Sequence, residues 1–312
     1  MFQSCPAARG GGGGGALPPI PSLGGAKATF GSPFVTVRFW DMLQALRRGL
    51  PDEIFHFGHQ LERFEQLDGD GGVVLHFGAL DAGAASANAA PTPPPPPQTA
   101  RFLIDAGGIR SATRKQILND ERIPRLRATF AVVPSERADG AAGSAGGELN
   151  FIAGGNLSVV TMSLADGSIM WSQTDMAQTD PLACIVSDEG DFCDTLERLY
   201  ADWPDDVQRL VSGTTFDDAI ETTISELPLS WRWGEGDVTL LGDAAHAQLP
   251  ALGLGVSTAL GDVEELVVQL RRRGLSRGTL RWYERVRIPV CATLQLMSRA
   301  MTFLSKFSAA QR

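Results

Sequence analysis

Apolar and polar positions recur with recognisable periods over most of the chain. From Phe39 to Leu50, the residues Trp40, Leu43, Leu46 and Leu50 fall at helical spacing and Gly49-Leu50-Pro51 stops the run, which predicts a short helix. Phe55 to Leu67 and Val73 to Ala79 read as strands, joined by Asp68-Gly69-Asp70-Gly71-Gly72, a run suited to a hairpin turn. Further strands are predicted over Ala128 to Pro134, Glu148 to Gly154 and Leu157 to Ser172, with a turn at Ala165-Asp166-Gly167. Helical patterns follow over Asp191 to Trp203, Pro204 to Gly213 and Phe216 to Ile220, and strands followed by helices point to a segregated α+β region. Thr279 to Phe307 is helical in pattern, with a break expected at Pro289.

Two tracts carry no period. Residues 1 to 33 hold the glycine run at 10 to 15, only Arg9 and Lys27 as charges, and no acid. Such a segment cannot bury enough surface to offset its ordering entropy and is expected to be disordered. Its acid-poor, small-residue character also fits an organelle transit peptide. From Asp81 to Thr99 the chain is Ala-rich and then Pro-rich, and five consecutive prolines favour an extended spacer.

Composition narrows the class. With 43% hydrophobic and 20% charged residues, 312 residues can build a sizeable core. No run approaches the roughly 18 apolar residues of a spanning helix. A net charge of −9 argues against a general affinity for nucleic acid. The four cysteines, at 5, 184, 193 and 291, form no CxxC pair and read as a reduced intracellular set with neither a disulfide framework nor a thiolate metal site. His56, His59 and His76 fall on the predicted hairpin without carboxylate partners nearby and read as ordinary sheet residues rather than metal ligands.

The most informative segment runs from Gly236 to Leu270. Val238-Thr239-Leu240-Leu241 is a short buried-type strand ending at Gly242-Asp243. After a loop with His246 and Pro250, Gly253-Leu254-Gly255 opens a helix with Ala259, Val263, Leu266, Val267 and Leu270 at apolar spacing. A helix start presents unpaired backbone N–H groups, and glycine lets a ligand approach them closely. An Asp just after the strand can accept hydrogen bonds from the hydroxyls of a ribose or ribityl chain.

This string resembles the flavin-binding GD motif of the class A FAD-dependent monooxygenases, the para-hydroxybenzoate hydroxylase-like family that includes urate hydroxylases and zeaxanthin epoxidases. The resemblance implies that Asp243, after Gly242, bonds the ribityl chain of FAD. It also implies that Gly253, Leu254, Gly255 and Val256 direct N–H groups at the pyrimidine end of the isoalloxazine, with Pro250 on the loop beside the ring. Leu227-Pro228-Leu229, Trp231-Arg232-Trp233 and Gly236 are similar to the family's lead-in to this motif. Arg101 to Arg114, with Asp105-Ala106-Gly107-Gly108-Ile109-Arg110-Ser111, resembles the family's DG motif, associated with the FAD pyrophosphate and NAD(P)H. There Gly108 and Arg110 are candidate cofactor contacts, Ser111 would cap the following helix, and Arg110 and Arg114 would supply phosphate-compatible charge. The family's Asp falls on Gly107 and its preceding Gly on Asp105. A third match, Val35 to Leu46, puts the family's cofactor-contacting Arg on Phe39, with Arg38 one residue earlier. Either a one-residue shift keeps that contact through Arg38, or Arg38 is a surface residue before a core helix.

The implied fold class is α/β with an α+β part. It comprises an incomplete FAD-binding Rossmann-like domain, an antiparallel-sheet substrate domain and C-terminal helices. Residues 34–80 and 99–124 would form the first part of the FAD-binding domain, interrupted by the linker 81–98. Residues 125–236 would form the substrate domain, 237–276 the GD part and 277–312 a C-terminal helix. The family's opening βαβ unit with GxGxxG and its acidic partner has no counterpart, because no apolar strand precedes the glycine run and no helix follows it. Without that unit a sheet edge or core face should be exposed. The loss of several hydrogen bonds at roughly 0.5 to 3 kcal/mol each is enough to weaken FAD binding by orders of magnitude. A truncated gene product, a partner chain supplying the unit, or a remnant kept for another role would each account for this.

The activity implied is reduction of FAD by NADPH or NADH, formation of a flavin C4a-hydroperoxide with O₂, and transfer of one oxygen atom to an apolar or aromatic small molecule. Phe151, Met162, Met170 and Trp171 are candidate lining residues of the substrate chamber, or plain core. His246 reads as a loop-structuring residue more readily than as a base. The alternative is a catalytically inactive flavin-fold remnant acting as a binding or regulatory module. The last helix, with five basic residues and one acid between Arg281 and Lys306, either docks on its own domain or lies on an anionic membrane.

Overall fold

The computed structural model describes residues 2–4, 36–69, 71–79, 93–119, 125–134, 149–154, 157–164, 166–175 and 189–310. The chain forms two compact units, Met1–Gly49 with Arg125–Ile224 and Phe303–Arg312, and Leu50–Pro124 with Ser225–Thr302.

The first unit is built on a six-stranded sheet whose spatial order is Phe2–Ser4, Leu149–Gly154, Leu157–Ser163, Ile169–Asp175, Arg125–Val133 and Ala219–Ser225. The strands of the meander Leu149–Asp175 pair antiparallel, with Val160 opposite both Phe151 and Ser172. Phe2–Ser4 adds in parallel to Phe151–Ala153, so these residues of the N-terminal tract are a strand, and the glycine run lies outside the described residues. The helices Glu189–Tyr200 and Asp205–Ser212 supply Phe192, Leu196, Tyr200, Val207, Leu210 and Val211 to a core shared with Val133, Val159, Ile169 and Trp171 of the sheet. Trp171 is core, 1% exposed, with its indole N–H donated to Thr214 Oγ1 at 3.0 Å, so it lines no chamber. Met162 and Met170 face each other across strands and are half-buried, while the side chain of Phe151 lies outside the described residues.

The helix predicted near Phe39 is observed as Phe39–Arg47. Its residues group with the first unit, Met1–Gly49 with Arg125–Ile224 and Phe303–Arg312. Among the described residues nothing covers its apolar side, for Phe39 and Trp40 are 69% and 66% exposed. The sheet unit gives way to the second unit at Ile224, earlier than the expected boundary at 236.

The second unit holds two small sheets. In the antiparallel meander Gln60–Gln66, Val73–Gly78 and Gln98–Ala100, the expected hairpin turn uses Gly69, Gly71 and Gly72 at positive φ. The other sheet runs Gly234–Glu235, Val238–Leu240, Leu103–Asp105, the last pair parallel. Leu103 and Asp105 bond toward Asp237 and Leu241, so the backbone groups of Ile104 point away from the ladder, at an edge with no further strand among the described residues. Ile104 is 40% exposed.

The helices Gly255–Arg273 and Arg277–Ala310 follow the second sheet. The expected break at Pro289 is absent. Pro289 and Arg285 both lie on the exposed side of the helix, where water can satisfy the carbonyl that proline leaves without a donor. The inner side contributes Leu280, Tyr283, Ile288 and Cys291 to a core with Trp233, Val238, Leu240, Ala244 and Ala245. No helix among the described residues is long and apolar enough to cross a membrane.

Candidate functional site

The GD segment folds as strand, turn and helix. Val238–Leu240 is fully buried and leads through half-buried Leu241 to Gly242 at φ 61°, ψ −139°, a conformation that excludes side chains. A four-residue helix, Asp243–His246, follows where sequence had suggested only a loop; it buries Ala244, Ala245 and His246 and leaves Asp243 exposed. Pro250, also exposed, opens the 3-10 turn Pro250–Leu252, and Gly253 takes a left-handed conformation at φ 64°. The helix Gly255–Arg273 then starts without a side-chain cap. Its first helical bond runs from Thr258 N to Leu254 O, so the N–H groups of Gly255, Val256 and Ser257 lack intrahelical acceptors. A Cβ at Gly255 would meet nothing within 4 Å, so space is open beside the first residue of the helix.

Of the stripe expected on the GD helix, Leu266 is buried and Ala259 and Leu270 are half-buried, whereas Val263 and Val267 are exposed. Val256, Leu260, Val263 and Val267 are exposed, while the buried stripe is Thr258, Asp262, Leu266 and Gln269. Asp262 is wholly buried. Its Oδ2 accepts from Gly242 N at 3.0 Å and lies 2.5 Å from His246 Nε2. Its Oδ1 accepts from Arg287 Nε at 2.7 Å, and the Cys291 thiol approaches at 3.6 Å. Burial pushes the Asp262 carboxyl up, but the bonds from His246, Arg287 and Gly242 outweigh it and hold the carboxyl below its usual range. Burial pushes the Cys291 thiol up to about 12. Trp233 lies over His246 at 5.2 Å between ring centroids. His246 is thus a structural member of the loop, as its motif position suggested.

His246, Asp262 and Cys291 are close enough together to suggest a cation site. The chemistry opposes it: a guanidinium already occupies the carboxylate, and the thiol is held neutral.

At the DG segment, Asp105 Oδ1 accepts from Gly107 N at 2.5 Å and Oδ2 from Ser111 Oγ at 2.9 Å. Ser111 Oγ in turn accepts from Arg114 N, capping the helix Ala112–Leu118 as expected. The Asp105 carboxylate is therefore used within the turn. Arg114 is buried and bonded to backbone carbonyls, which corrects its reading as phosphate-compatible charge. Gly108, at φ 72°, has open space around its Cβ position, and Arg110 is exposed. The turn Gly108–Arg110 packs against Asp243–His246, so the GD and DG residues come together in the second unit. Arg38 belongs to the first unit, where its Nη2 donates to Asp166 Oδ2 at 2.6 Å and Ser168 Oγ at 3.1 Å.

Sequence reasoning missed Asp262, Arg287 and Gln248. A lone acid in step with Thr258 and Leu266 was the available signal for Asp262. Nothing in the pattern marked Gln248, whose amide nitrogen and oxygen are both buried without a partner among the described residues.

A carboxylate just past a buried strand, followed by a glycine turn and an uncapped helix start, is an arrangement of the kind that nucleotide cofactors use. Residues 216–294 match the family described as FAD binding domain. The chain is 25% identical over 280 residues to 3-amino-4-hydroxybenzoate 2-monooxygenase of Streptomyces cremeus, an overlap of 87% of this chain and 63% of that protein. It is 31% identical over 120 residues to the chloroplastic zeaxanthin epoxidase of Oryza sativa subsp. japonica, covering 35% of this chain and 18% of that one. HpxO of Klebsiella pneumoniae, solved with FAD and uric acid, matches the fold at a TM-score of 0.74 and 22% identity, over 91% of this chain and 67% of that one. The chain spans 63% of the length of the Streptomyces relative.

Proposed function

We propose that this chain binds FAD at the GD segment. In this reading it works as a monooxygenase that uses NADPH or NADH and O₂ to hydroxylate or epoxidise an apolar or aromatic small molecule. One arrangement carries the reading: the exposed carboxylate of Asp243 and the uncapped N–H groups from Gly255 to Ser257, on either side of the Pro250–Gly253 turn. This donor and acceptor set fits the cofactor. A ribityl chain offers hydroxyls to a carboxylate, and the pyrimidine end of an isoalloxazine offers carbonyl oxygens to N–H groups.

When bound and reduced, FAD supplies the activation of O₂ and the transfer of one oxygen atom. The chain's own residues orient it. Asp243 accepts from the ribityl hydroxyls, Gly253 and Leu254 shape the turn before the donors of Gly255 and Val256, and Pro250 stiffens the loop beside the ring. Gly108 and Arg110, packed on the Asp243 turn, serve the pyrophosphate end. Arg38 enters this reading only by releasing Asp166 and Ser168. Relatives named for an aminohydroxybenzoate and for zeaxanthin support this substrate class.

A second reading, a flavin-fold binding module without turnover, is favoured by the DG turn, where the carboxylate is spent on Gly107 and Ser111. Reconstitution separates the readings. Protein incubated with excess FAD and desalted should retain flavin absorbance, and NADPH or NADH oxidation should then rise with a phenol or a carotenoid. Retention without oxidation supports the module, and no retention removes both.

A further inference from the structure

We propose that Asp262 is a positioning residue that holds the Asp243 turn in its binding-ready shape. The flavin part of this inference rests on the FAD reading above, while the part concerning the turn itself does not.

The turn Asp243–His246 has four residues, and its internal bonds are those from Ala245 N and His246 N to Gly242 O, at 2.8 and 3.0 Å. A single helical turn does not hold itself together in water. Arg114 holds the carbonyls of Ala244 and Ala245, but the two ends of the turn are tied together by one carboxylate oxygen. Asp262 Oδ2 takes the N–H of Gly242 at the start of the turn and faces the imidazole of His246 at its end. Asp243, the exposed residue on the turn, sits between these two anchor points.

The carboxylate cannot drift, because its other oxygen is tied to Arg287 on the C-terminal helix. The same guanidinium also donates to Thr258 O at 3.0 Å on the GD helix. Two helices therefore fix Asp262, and Asp262 fixes the turn. Its position has no access to solvent, so it touches no ligand and acts only through Asp243 and its neighbours.

Two measurements on the full chain test this. Hydrogen exchange of the protein without flavin should show the amides of 238–247 exchanging roughly tenfold faster in Asp262→Asn. The strand Val73–Gly78, in the same unit, should be unchanged. Equal exchange over 238–247, or an equal rise in both segments, overturns the proposal. If Asp262→Asn fails to fold, Arg287→Lys, which loosens the same carboxylate, should give the same localised rise in smaller degree. The second measurement is FAD affinity by fluorescence quenching across a double-mutant cycle. Asp262→Asn should weaken binding about tenfold in the wild-type chain and less than about threefold in the Asp243→Ala background, because both act on one contact. Multiplicative losses overturn the positioning role. If Asp243→Ala alone leaves binding unchanged, the FAD reading fails, while the exchange result still decides what Asp262 does to the turn.

Discussion

Arg114 and Ala245 join the two glycine segments: Nη1 of the guanidinium donates to the Ala245 carbonyl oxygen at 2.7 Å. The same side chain reaches Ala244 O at 3.3 Å and Pro228 O at 3.2 Å. Its root is the helix that Ser111 caps, so the DG helix satisfies backbone acceptors of the GD turn and of the lead-in to the second sheet. Charge that would otherwise meet a phosphate is spent on holding the site's two halves in register.

Replacing Arg114 by Met should destabilise the protein by about 3 kcal/mol, because buried carbonyl oxygens lose donors that an apolar chain cannot replace. The check is the urea midpoint at constant slope. An unchanged midpoint would mean that the carbonyls find other donors and that the bridge contributes little.

Asp237 gives a signed pH dependence. It accepts from Gly72 N at 2.8 Å and is bonded by Arg277 through Nε and Nη2, each at 2.7 Å. The Arg277 hydrogen bonds and the Gly72 amide outweigh burial and hold its carboxyl below the usual value of 3.8. A carboxyl depressed in the folded state contributes stability that is present above its unfolded value and is lost as pH falls through the folded one. Thermal midpoints should therefore decline below pH 4 or so, and Asp237→Asn should flatten that part of the curve relative to wild type. Parallel curves for the two proteins would assign the acid loss to other groups. Because Arg277 is half exposed, solvent screening keeps the effect modest.

Gln248 carries an idle amide within the GD loop, both heteroatoms buried without a partner among the described residues. An unsatisfied buried polar group costs about 1–3 kcal/mol. Gln248→Leu, close in size, should raise the unfolding midpoint of the flavin-free protein by the equivalent of about 1 kcal/mol. A lower midpoint would show that the amide is satisfied in solution.

The strand, glycine turn and helix of the GD segment were legible because the period changes from buried strand to 3.6-residue helix across two glycine pairs. The Ser111 cap was legible because a serine before a helix acts within three residues. The orientation of the GD helix was legible only in part. Apolar spacing found Leu266 and Leu270 on the packed side but also marked Val263 and Val267, which are exposed, while the buried stripe continues through Thr258 and Asp262, whose carboxylate is matched by Gly242, His246 and Arg287. Those partners lie 16 to 25 residues from Asp262, beyond any local pattern. Pro289 misled for a similar reason. A proline breaks a helix where the freed carbonyl is buried, and here the helix turns that side to water.

Asp243 separates binding from stability. It is exposed at the start of a four-residue turn, and its removal costs the fold little, within about 0.5 kcal/mol, the usual range for surface positions. A hydrogen bond between a carboxylate and a ribityl hydroxyl is worth about 1.5–3 kcal/mol, so Asp243→Ala should weaken FAD binding by about 10- to 100-fold at an unchanged thermal midpoint. Flavin should then be lost on desalting. Asp243→Asn, which keeps an acceptor but not the charge, should fall between the two. Both variants can be followed by quenching of flavin fluorescence on titration. Affinity equal to wild type in Asp243→Ala would remove this carboxylate from the site. A loss accompanied by a lower midpoint would instead assign Asp243 to holding the turn, the role that belongs to Asp262.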